Sequence, residues 1–224
     1  MQRFFDIFFS GLALIVLFPL FVVVVFALRL TGEGEVFFFQ ERVGINGSLF
    51  KLYKFATMLK DSPSIGTGTV TTKGDPRVLP FGKLLRKTKI NELPQLINIL
   101  KGDMSVVGPR PQAQRCFNSY PLELQKIITQ VKPGLSGIGP IVFRDEESLL
   151  DNRENPLAYY DEVISPYKAS VEAWYVKNQG LSVYFQVIAI TIWVVLFPES
   201  SLVWQAFKSL PAPPKELQHF LNYR

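Results

Sequence analysis

The amino-acid sequence predicts a mainly helical α+β protein that is held at a membrane by its N-terminal segment. Three observations predict this class. Residues 7–28 form an apolar run without a charged side chain, residues 49–55 have the alternation of a hairpin strand, and apolar residues recur at helical spacing over residues 93–100. The expected parts are therefore a membrane helix, a small β-hairpin and amphipathic helices at the lipid interface.

The composition suits one domain of ordinary size with an added membrane or tail element. Of the 224 residues, 48% are hydrophobic and 19% are charged, and the mean hydropathy is +0.18. This balance excludes a disordered chain. The formal net charge of +5 favours anionic lipids, phosphate-bearing ligands or nucleic acid as partners.

Two rare residues narrow the chemistry. A single cysteine, Cys116, excludes an intrachain disulfide. A single histidine, His219, lies near the C-terminus, which excludes most histidine-ligated metal sites and argues against a Ser-His-Asp or Cys-His catalytic system. Any chemistry must therefore come from carboxylates, lysines, arginines and hydroxyls, with a hard cation as a candidate helper.

The N-terminal apolar run is long enough to cross a bilayer as one helix. Pro19 lies in its second half, where it removes one backbone hydrogen bond and is expected to kink the helix. A kinked apolar helix can also enter one leaflet and turn back. Spanning and re-entrant arrangements both stay open on these residues. A cleaved signal peptide is disfavoured, because no small-residue cleavage pattern follows Leu28.

The middle of the chain carries local signals for a helix between two loops. Residues 61–76 are rich in Ser, Thr, Gly and Pro and predict a mobile loop. The apolar spacing over residues 93–100 predicts a helix that Asn91 caps and Gly102 ends. Residues 102–111 then predict a strand-like stretch that ends in a rigid turn.

The last third of the chain is expected to be helical at first and irregular at its end. Residues 155–178 predict one or two helices with many aromatic residues. Residues 181–197 form a second apolar run, which is short for spanning and suits a helix in the interface or packed on the core. Residues 198–224 contain four prolines and predict a tail with little core of its own.

Basic residues cluster just before the predicted helix, at Lys83, Arg86, Lys87 and Lys89. Beside the free N–H groups of a helix N-terminus, they would bind a phosphate or diphosphate. They could equally form a solvated face toward anionic headgroups. Arg110 lies between two prolines, and such a stiff loop suits either a bidentate phosphate clamp or a structural turn.

Carboxylates lie close to these cations in the sequence. Glu92, in the first turn of the predicted helix, could complement the helix dipole or act as a general base or metal ligand. Asp103 could bind a cation or cap a turn. Residues 145–147 are three carboxylates that follow Arg144, and they form either a solvated run or a second acidic patch for Mg²⁺.

Several segments together carry a specific family resemblance. They are GKLLRKT at 82–88, ELPQL at 92–96, GDMS and GPRP within 102–111, QERVG at 40–44, YKF at 53–55 with Met58, DPR at 75–77 and KPGLSG at 132–137. With them, roughly residues 1–195 resemble the bacterial sugar transferase family, the monotopic phosphoglycosyl transferases that start glycan assembly on a polyprenyl carrier. The combination of 82–96 with 102–111 is highly specific.

The resemblance implies a membrane arrangement and a division of the chain. It implies a re-entrant helix over residues 1–30, broken at Pro19, which favours the re-entrant over the spanning arrangement. A phosphoglycosyl transferase domain over residues 31–197 would sit on the cytoplasmic face of the bacterial inner membrane, and residues 198–224 would form the tail.

The resemblance also implies a reaction and a set of site residues. A sugar 1-phosphate would pass from a UDP-sugar to polyprenyl (undecaprenyl) phosphate with Mg²⁺, releasing UMP and initiating exopolysaccharide, O-antigen or glycoconjugate assembly. Anionic lipid and a second copy of the chain are further candidate partners. The implied catalytic positions are Glu92, Asn91 and Arg86, the substrate contacts Lys54, Lys87, Arg110, Arg144 and Glu172, and the metal ligands Asp103 and Glu92.

The sequence departs from the family pattern at its catalytic dyad. The family has Asp-Glu where this chain has Asn91-Glu92, and a neutral amide lacks the anionic oxygen that attacks phosphorus. Ala56 stands where an arginine is usual, and Glu172 stands where an aspartate usually precedes Tyr175-Val176.

Three interpretations of the dyad remain. Glu92 could activate the acceptor for direct displacement or be the nucleophile itself. A carboxylate among residues 145–147 or Glu172 could take over. Finally, the chain could be a membrane adaptor that binds nucleotide sugar without turnover. A different class, a peripheral protein that binds anionic membrane or nucleic acid through Lys83–Lys89, does not need the rigid GPRP loop, so nucleic acid is not expected as a partner.

Overall fold

The computed structural model describes residues 1–65, 74–151 and 153–223. Residues 66–73 of the predicted mobile loop lie outside the described residues. The helices are α1 Gln2–Leu30, α2 Pro80–Lys87, α3 Gln95–Lys101, α4 Gln114–Asn118, α5 Leu122–Ile128, α6 Ile138–Val142, α7 Glu146–Leu149, α8 Pro156–Tyr159, α9 Ser165–Lys177, α10 Leu181–Leu196, α11 Leu202–Ala206 and α12 Lys215–Gln218. The strands are β1 Phe37–Val43, β2 Leu49–Phe55, β3 Ser105–Val107 and β4 Gly134–Ser136.

The two described sheets are small and of opposite kinds. Strands β1 and β2 form an antiparallel hairpin in which Phe38 lies opposite Lys54, which confirms the predicted hairpin strand. Strands β3 and β4 pair in parallel, with Ser105 opposite Gly134. This second pairing joins distant segments, and no local pattern predicted it. Mainly helical structure with a small hairpin agrees with the predicted fold class.

Helix α1 stays helical through Pro19, so the predicted break at that proline is wrong, and one face of the helix lies along the rest of the protein. Near its C-terminal end, Val24 and Leu28 are buried against Phe55 and Leu85. Only 11% of its most apolar window is buried, although the helix is long and apolar enough to cross a membrane. A core helix of a soluble protein would be mostly enclosed, so the exposed apolar surface of α1 needs another covering.

The N-terminal end of α1 is fixed by a buried carboxylate, Asp6. The Ser105 hydroxyl and the Val106 backbone N–H each donate to Asp6 Oδ1 at 2.9 Å, and the Tyr184 hydroxyl donates to it at 3.0 Å. These donors belong to β3 and α10. Both ends of α1 therefore contact the same folded body.

The start of α3 differs from the prediction and its end agrees with it. Asn91 does not cap α3: it lies in a 3₁₀ turn over Ile90–Glu92, and its Oδ1 has no hydrogen-bond partner among the described residues. The turn forms because the preceding Lys89 adopts a left-handed φ of 59°, and α3 starts only at Gln95. Gly102 ends the helix as expected, with φ of 94° and its N–H donated to Asn98 and Ile99 carbonyls.

The predicted helices of the last third are present. Residues 156–177 are helical throughout, passing from α8 through a π-helical turn into α9. Helix α10 packs on the core with one of its faces, which confirms one of the two predicted arrangements. Its inner face, with Tyr184 and Val187, is buried in the core, while Trp193 and Leu196 remain 45% and 67% exposed.

The prediction that residues 198–224 have little core of their own is wrong. Trp204, Phe207, Leu217 and neighbouring apolar residues are buried in the main core cluster, together with α6, α9 and α10. The Trp174 indole N–H on α9 also donates to the Ser209 hydroxyl at 3.2 Å. The prolines did not prevent packing, because short helices between them place the apolar side chains inward.

Candidate active site

The candidate site centres on Glu92, at the end of the 3₁₀ turn before α3. Its side chain is 15% exposed. Arg110 Nη2 donates a hydrogen bond to Glu92 Oε1 at 3.1 Å, and Lys54 Nζ lies 4.0 Å from the same oxygen. Burial acts to raise the pKa of Glu92, but the positive charges of Arg110, Lys54 and Lys89 outweigh it and lower the pKa to about 2. Glu92 is therefore an ionised carboxylate at neutral pH.

The cations around Glu92 outnumber it. Burial, followed by the nearby charges of Arg42 and Arg110, lowers the pKa of Lys54 to about 7 against the attraction of Glu92. The pKa of Arg42 falls to about 10, again chiefly through burial and then through Arg110. Positive groups this crowded repel one another, so an added anion would relieve the repulsion.

The Pro-Arg-Pro loop that carries Arg110 is held at two points. The Arg110 backbone N–H donates to Glu172 Oε1 at 3.0 Å, and Arg42 Nη1 donates to the Pro111 carbonyl at 3.2 Å. Glu172 lies on α9 and is fully buried. Burial raises the pKa of Glu172 to about 7. The guanidinium of Arg110 is therefore presented to Glu92 from a loop fixed by both the hairpin and α9.

Helix α7 joins two further cations to the site. Arg86 on α2 donates to Glu147 at 2.6 Å, and Lys168 on α9 donates to Glu146 at 2.6 Å. The Lys168 side chain is only 2% exposed. The carboxylates at 146 and 147 are thus each paired with a cation from another helix, and Glu147 is 46% exposed.

Among the residues that the structure describes, three other predicted site residues form no hydrogen bond or ion pair with Glu92, Lys54 or Arg110. Asp103 accepts from Asn98 Nδ2 at 3.1 Å and lies 3.7 Å from Lys101 Nζ. Arg144 donates to the Val194 carbonyl near the end of α10. Lys87 is exposed on α2. The structure thus brings together Lys54, Glu92 and Arg110, while the roles predicted for Asp103, Arg144 and Lys87 stay predictions.

Two residues near the site were missed as site residues. Arg42 belongs to a family segment without a predicted role, and Lys168 belongs to no predicted site. Lys168 precedes Glu172 by four positions on α9, a spacing that places both on one helix face. That spacing was available in the sequence. The contact of Arg42 with Pro111 joins residues far apart in the chain, so no local sequence pattern predicts it.

The fold and the site together define a class of protein. A mostly exposed apolar helix lies against a domain in which Lys54, Arg110, Arg42 and Arg86 surround few carboxylates, as expected of a membrane-associated protein that handles phosphate-bearing ligands. The family model described as bacterial sugar transferase matches residues 1–198. The chain belongs to that family, as the sequence resemblance indicated, and it is a transferase.

Curated relatives agree with this assignment. The exopolysaccharide production protein ExoY of Sinorhizobium fredii is 37% identical over 161 residues, which are 66% of this chain and 71% of the relative. A UDP-glucose:undecaprenyl-phosphate glucose-1-phosphate transferase of Klebsiella pneumoniae is 37% identical over 163 residues, 70% of this chain and 34% of the relative.

The name of a third relative specifies a different sugar. The UDP-N-acetylgalactosamine-undecaprenyl-phosphate N-acetylgalactosaminephosphotransferase of Aeromonas hydrophila is 36% identical over 143 residues, which are 63% of this chain and 34% of the relative. This chain thus matches about a third of the length of both named phosphotransferases.

Proposed function

We propose that this protein transfers a sugar 1-phosphate from a UDP-sugar to a polyprenyl phosphate and releases UMP, as an initiating step of polysaccharide assembly. The observation that carries the proposal is the ionised Glu92 between Arg110 and Lys54. Cations placed in this way would bind the diphosphate and stabilise the charge that develops on the departing UMP. The names of the two phosphotransferase relatives support the same reaction and leave the sugar unspecified.

Glu92, rather than Asn91, is the proposed nucleophile. Its low pKa makes it a weak general base but keeps it anionic, as a carboxylate nucleophile must be. A Glu92 oxygen attacks the β-phosphorus, and the bond from that phosphorus to the bridging oxygen breaks with its electron pair leaving on UMP. An oxygen of the polyprenyl phosphate then attacks the same phosphorus, forms the diphosphate-linked sugar and frees the carboxylate.

Mg²⁺ is proposed only as a companion of the nucleotide. No group of three or more His, Cys, Asp or Glu side chains suited to a metal ion occurs within residues 1–65, 74–151 and 153–223. Glu92 is already paired with Arg110, and the surplus positive charge opposes a free divalent cation. The protein residues therefore do not fit a resident ion, and no step above depends on one.

The proposed membrane arrangement is re-entrant, with the domain on the cytoplasmic face of the inner membrane. It is supported by α1, because both of its ends contact one folded body while its other face stays apolar and exposed. A spanning helix would carry one end away from a domain on one side of the bilayer. Exposed Lys83 and Lys87 on α2 would then face anionic headgroups.

The test is a UMP-release assay on purified protein in detergent micelles with undecaprenyl phosphate and a panel of UDP-sugars. We expect at least one UDP-sugar to yield many UMP molecules per protein when the acceptor is present, and no more than one when it is absent. The variant Asn91→Asp distinguishes the proposed enzyme from a membrane adaptor that binds nucleotide sugar without turnover. Binding of UDP-sugar without UMP in the wild type, with UMP restored in that variant, would show an adaptor and contradict the proposed activity.

A further inference from the structure

An apolar cavity of about 160 Å³ lies between the C-terminal end of α1 and the start of α2. Leu28 lines it from α1 and Thr31 from the residue after that helix, and Leu79, Phe81 and Gly82 line it from α2 and the residue before it. An engineered cavity of about 150 Å³ with apolar walls stays dry and accepts a six-carbon ring. A cavity of this size and lining therefore suits a short branched hydrocarbon unit rather than a water cluster.

The walls of the cavity are rigid. The Leu79 backbone N–H donates to the Thr57 carbonyl at 3.0 Å. A Cβ added at Gly82 would lie 2.2 Å from that same carbonyl oxygen, so only glycine lets α2 approach the end of the hairpin so closely. Backbone packing against Thr57 thus fixes the α2 wall of the cavity.

Helix α2 links the cavity to the cations of the site. Arg86 follows Gly82 by four positions, so it lies on the same face one turn further along, about 6 Å away along the helix axis. The Arg86 guanidinium donates to Glu147 Oε1 at 2.6 Å, and the Glu147 side chain is 46% exposed, so this ion pair is open to exchange with a phosphate. Lys83 and Lys87 on the same helix are exposed. A ligand with an anionic head and an apolar tail could therefore bind along α2, with its head at the cations and its tail in the cavity.

We propose that this cavity binds the first isoprene units of the polyprenyl phosphate acceptor while Arg86 contacts its phosphate. The proposal rests on the proposed function, since that reaction supplies the acceptor. An isoprene unit has five carbons and matches the size of the cavity. Helix α1 gives access from the lipid side, because Phe26 and Leu30 near this end are 64% and 84% exposed.

Filling the cavity tests the proposal. Leu79→Phe and Thr31→Leu add carbon atoms from opposite walls, and each should raise KM for undecaprenyl phosphate about tenfold while KM for the UDP-sugar stays unchanged. Leu84→Phe is the matched control, because Leu84 is 54% exposed on the same helix and does not line the cavity. It should change neither KM more than twofold.

A second measurement keeps the cavity and the reaction apart. Undecaprenyl phosphate without nucleotide should raise the Tm of the wild type and of Leu84→Phe in micelles, and should do so less for the two filling variants. A straight-chain saturated alkyl phosphate should raise it less than the isoprenoid. Equal Tm shifts in all four proteins, or equal shifts from both lipids, would overturn the cavity assignment even if the wild type releases UMP. Absence of UMP with intact, cavity-dependent Tm shifts would instead overturn the reaction alone.

Discussion

Two carboxylates of this protein, Asp6 and Glu92, are both removed from solvent, yet their partners differ in kind. Asp6 accepts from two hydroxyl groups and one backbone N–H, all uncharged donors. Glu92 is held by the guanidinium of Arg110 with Lys54 beside it. Three neutral donors converge on one oxygen of Asp6 and bring no net charge with them, whereas the surplus of positive charge around Glu92 suits a further anion. The first arrangement is an anchor and the second is a binding site.

The largest effect is expected at Glu92. Glu92→Gln keeps the size of the side chain and removes the anionic oxygen, so UMP release should fall at least about 10³-fold. Glu123→Gln is the matched control, because Glu123 is exposed on α5 and the chemical change is identical. Activity of Glu92→Gln within tenfold of the control would show that the chemistry lies elsewhere.

Substitution of the anchoring carboxylate, Asp6, should reduce stability and leave the chemistry at Glu92 intact. Asp6→Ala leaves three donors without their acceptor and should lower the free energy of unfolding by about 3 kcal/mol. Thermal unfolding in micelles measures this, with Asp61→Ala on the surface as control. A stable Asp6→Ala protein would mean that α1 is held mainly by its apolar contacts.

A pH effect is expected at the cationic site. Because the pKa of Lys54 is lowered to about 7, this lysine loses its charge as the pH rises through 7. We expect kcat/KM for the UDP-sugar to fall up to tenfold per pH unit above that point, since kcat/KM reports ionisation of the free enzyme. Lys54→Arg keeps the charge at all these pH values. Identical pH profiles for the two proteins would assign the titration to another group.

The smallest effect is expected where α7 neutralises Arg86. The Glu147 side chain is 46% exposed, and ion pairs this open contribute little. Glu147→Gln should therefore lower KM for undecaprenyl phosphate only two- to threefold, by freeing Arg86 for the acceptor phosphate. Steady-state kinetics measure the change, with Glu162→Gln as the control on a different helical turn. A raised KM would mean that Glu147 positions Arg86 instead of competing for it.

The sequence predicted the local features well. The membrane helix, the hairpin strand and the helix end at Gly102 each depend on a few neighbouring residues. The N-cap prediction at Asn91 failed because Lys89 adopts a left-handed conformation that redirects the backbone. A lysine side chain gives no signal for that conformation. The buried tail was missed because its partner is α9, which lies far away in the chain.

The sequence predicted which residues form the site better than it predicted the contacts that hold them in place. Family segments pointed to Lys54, Glu92 and Arg110, which the structure brings together. The support of the Arg110 loop by Arg42 and Glu172 comes from the hairpin and α9, and such contacts follow only from the tertiary fold.

The most direct test of the account is the mass of the protein after incubation with a UDP-sugar that supports turnover, in the absence of acceptor. Trypsin releases residues 90–101, a peptide in which Glu92 is the single Asp or Glu side chain. The account predicts one phosphosugar adduct on this peptide, formed with one UMP and lost when undecaprenyl phosphate is added. An adduct on a different peptide, or turnover without any adduct, would contradict the assignment of Glu92 as the nucleophile.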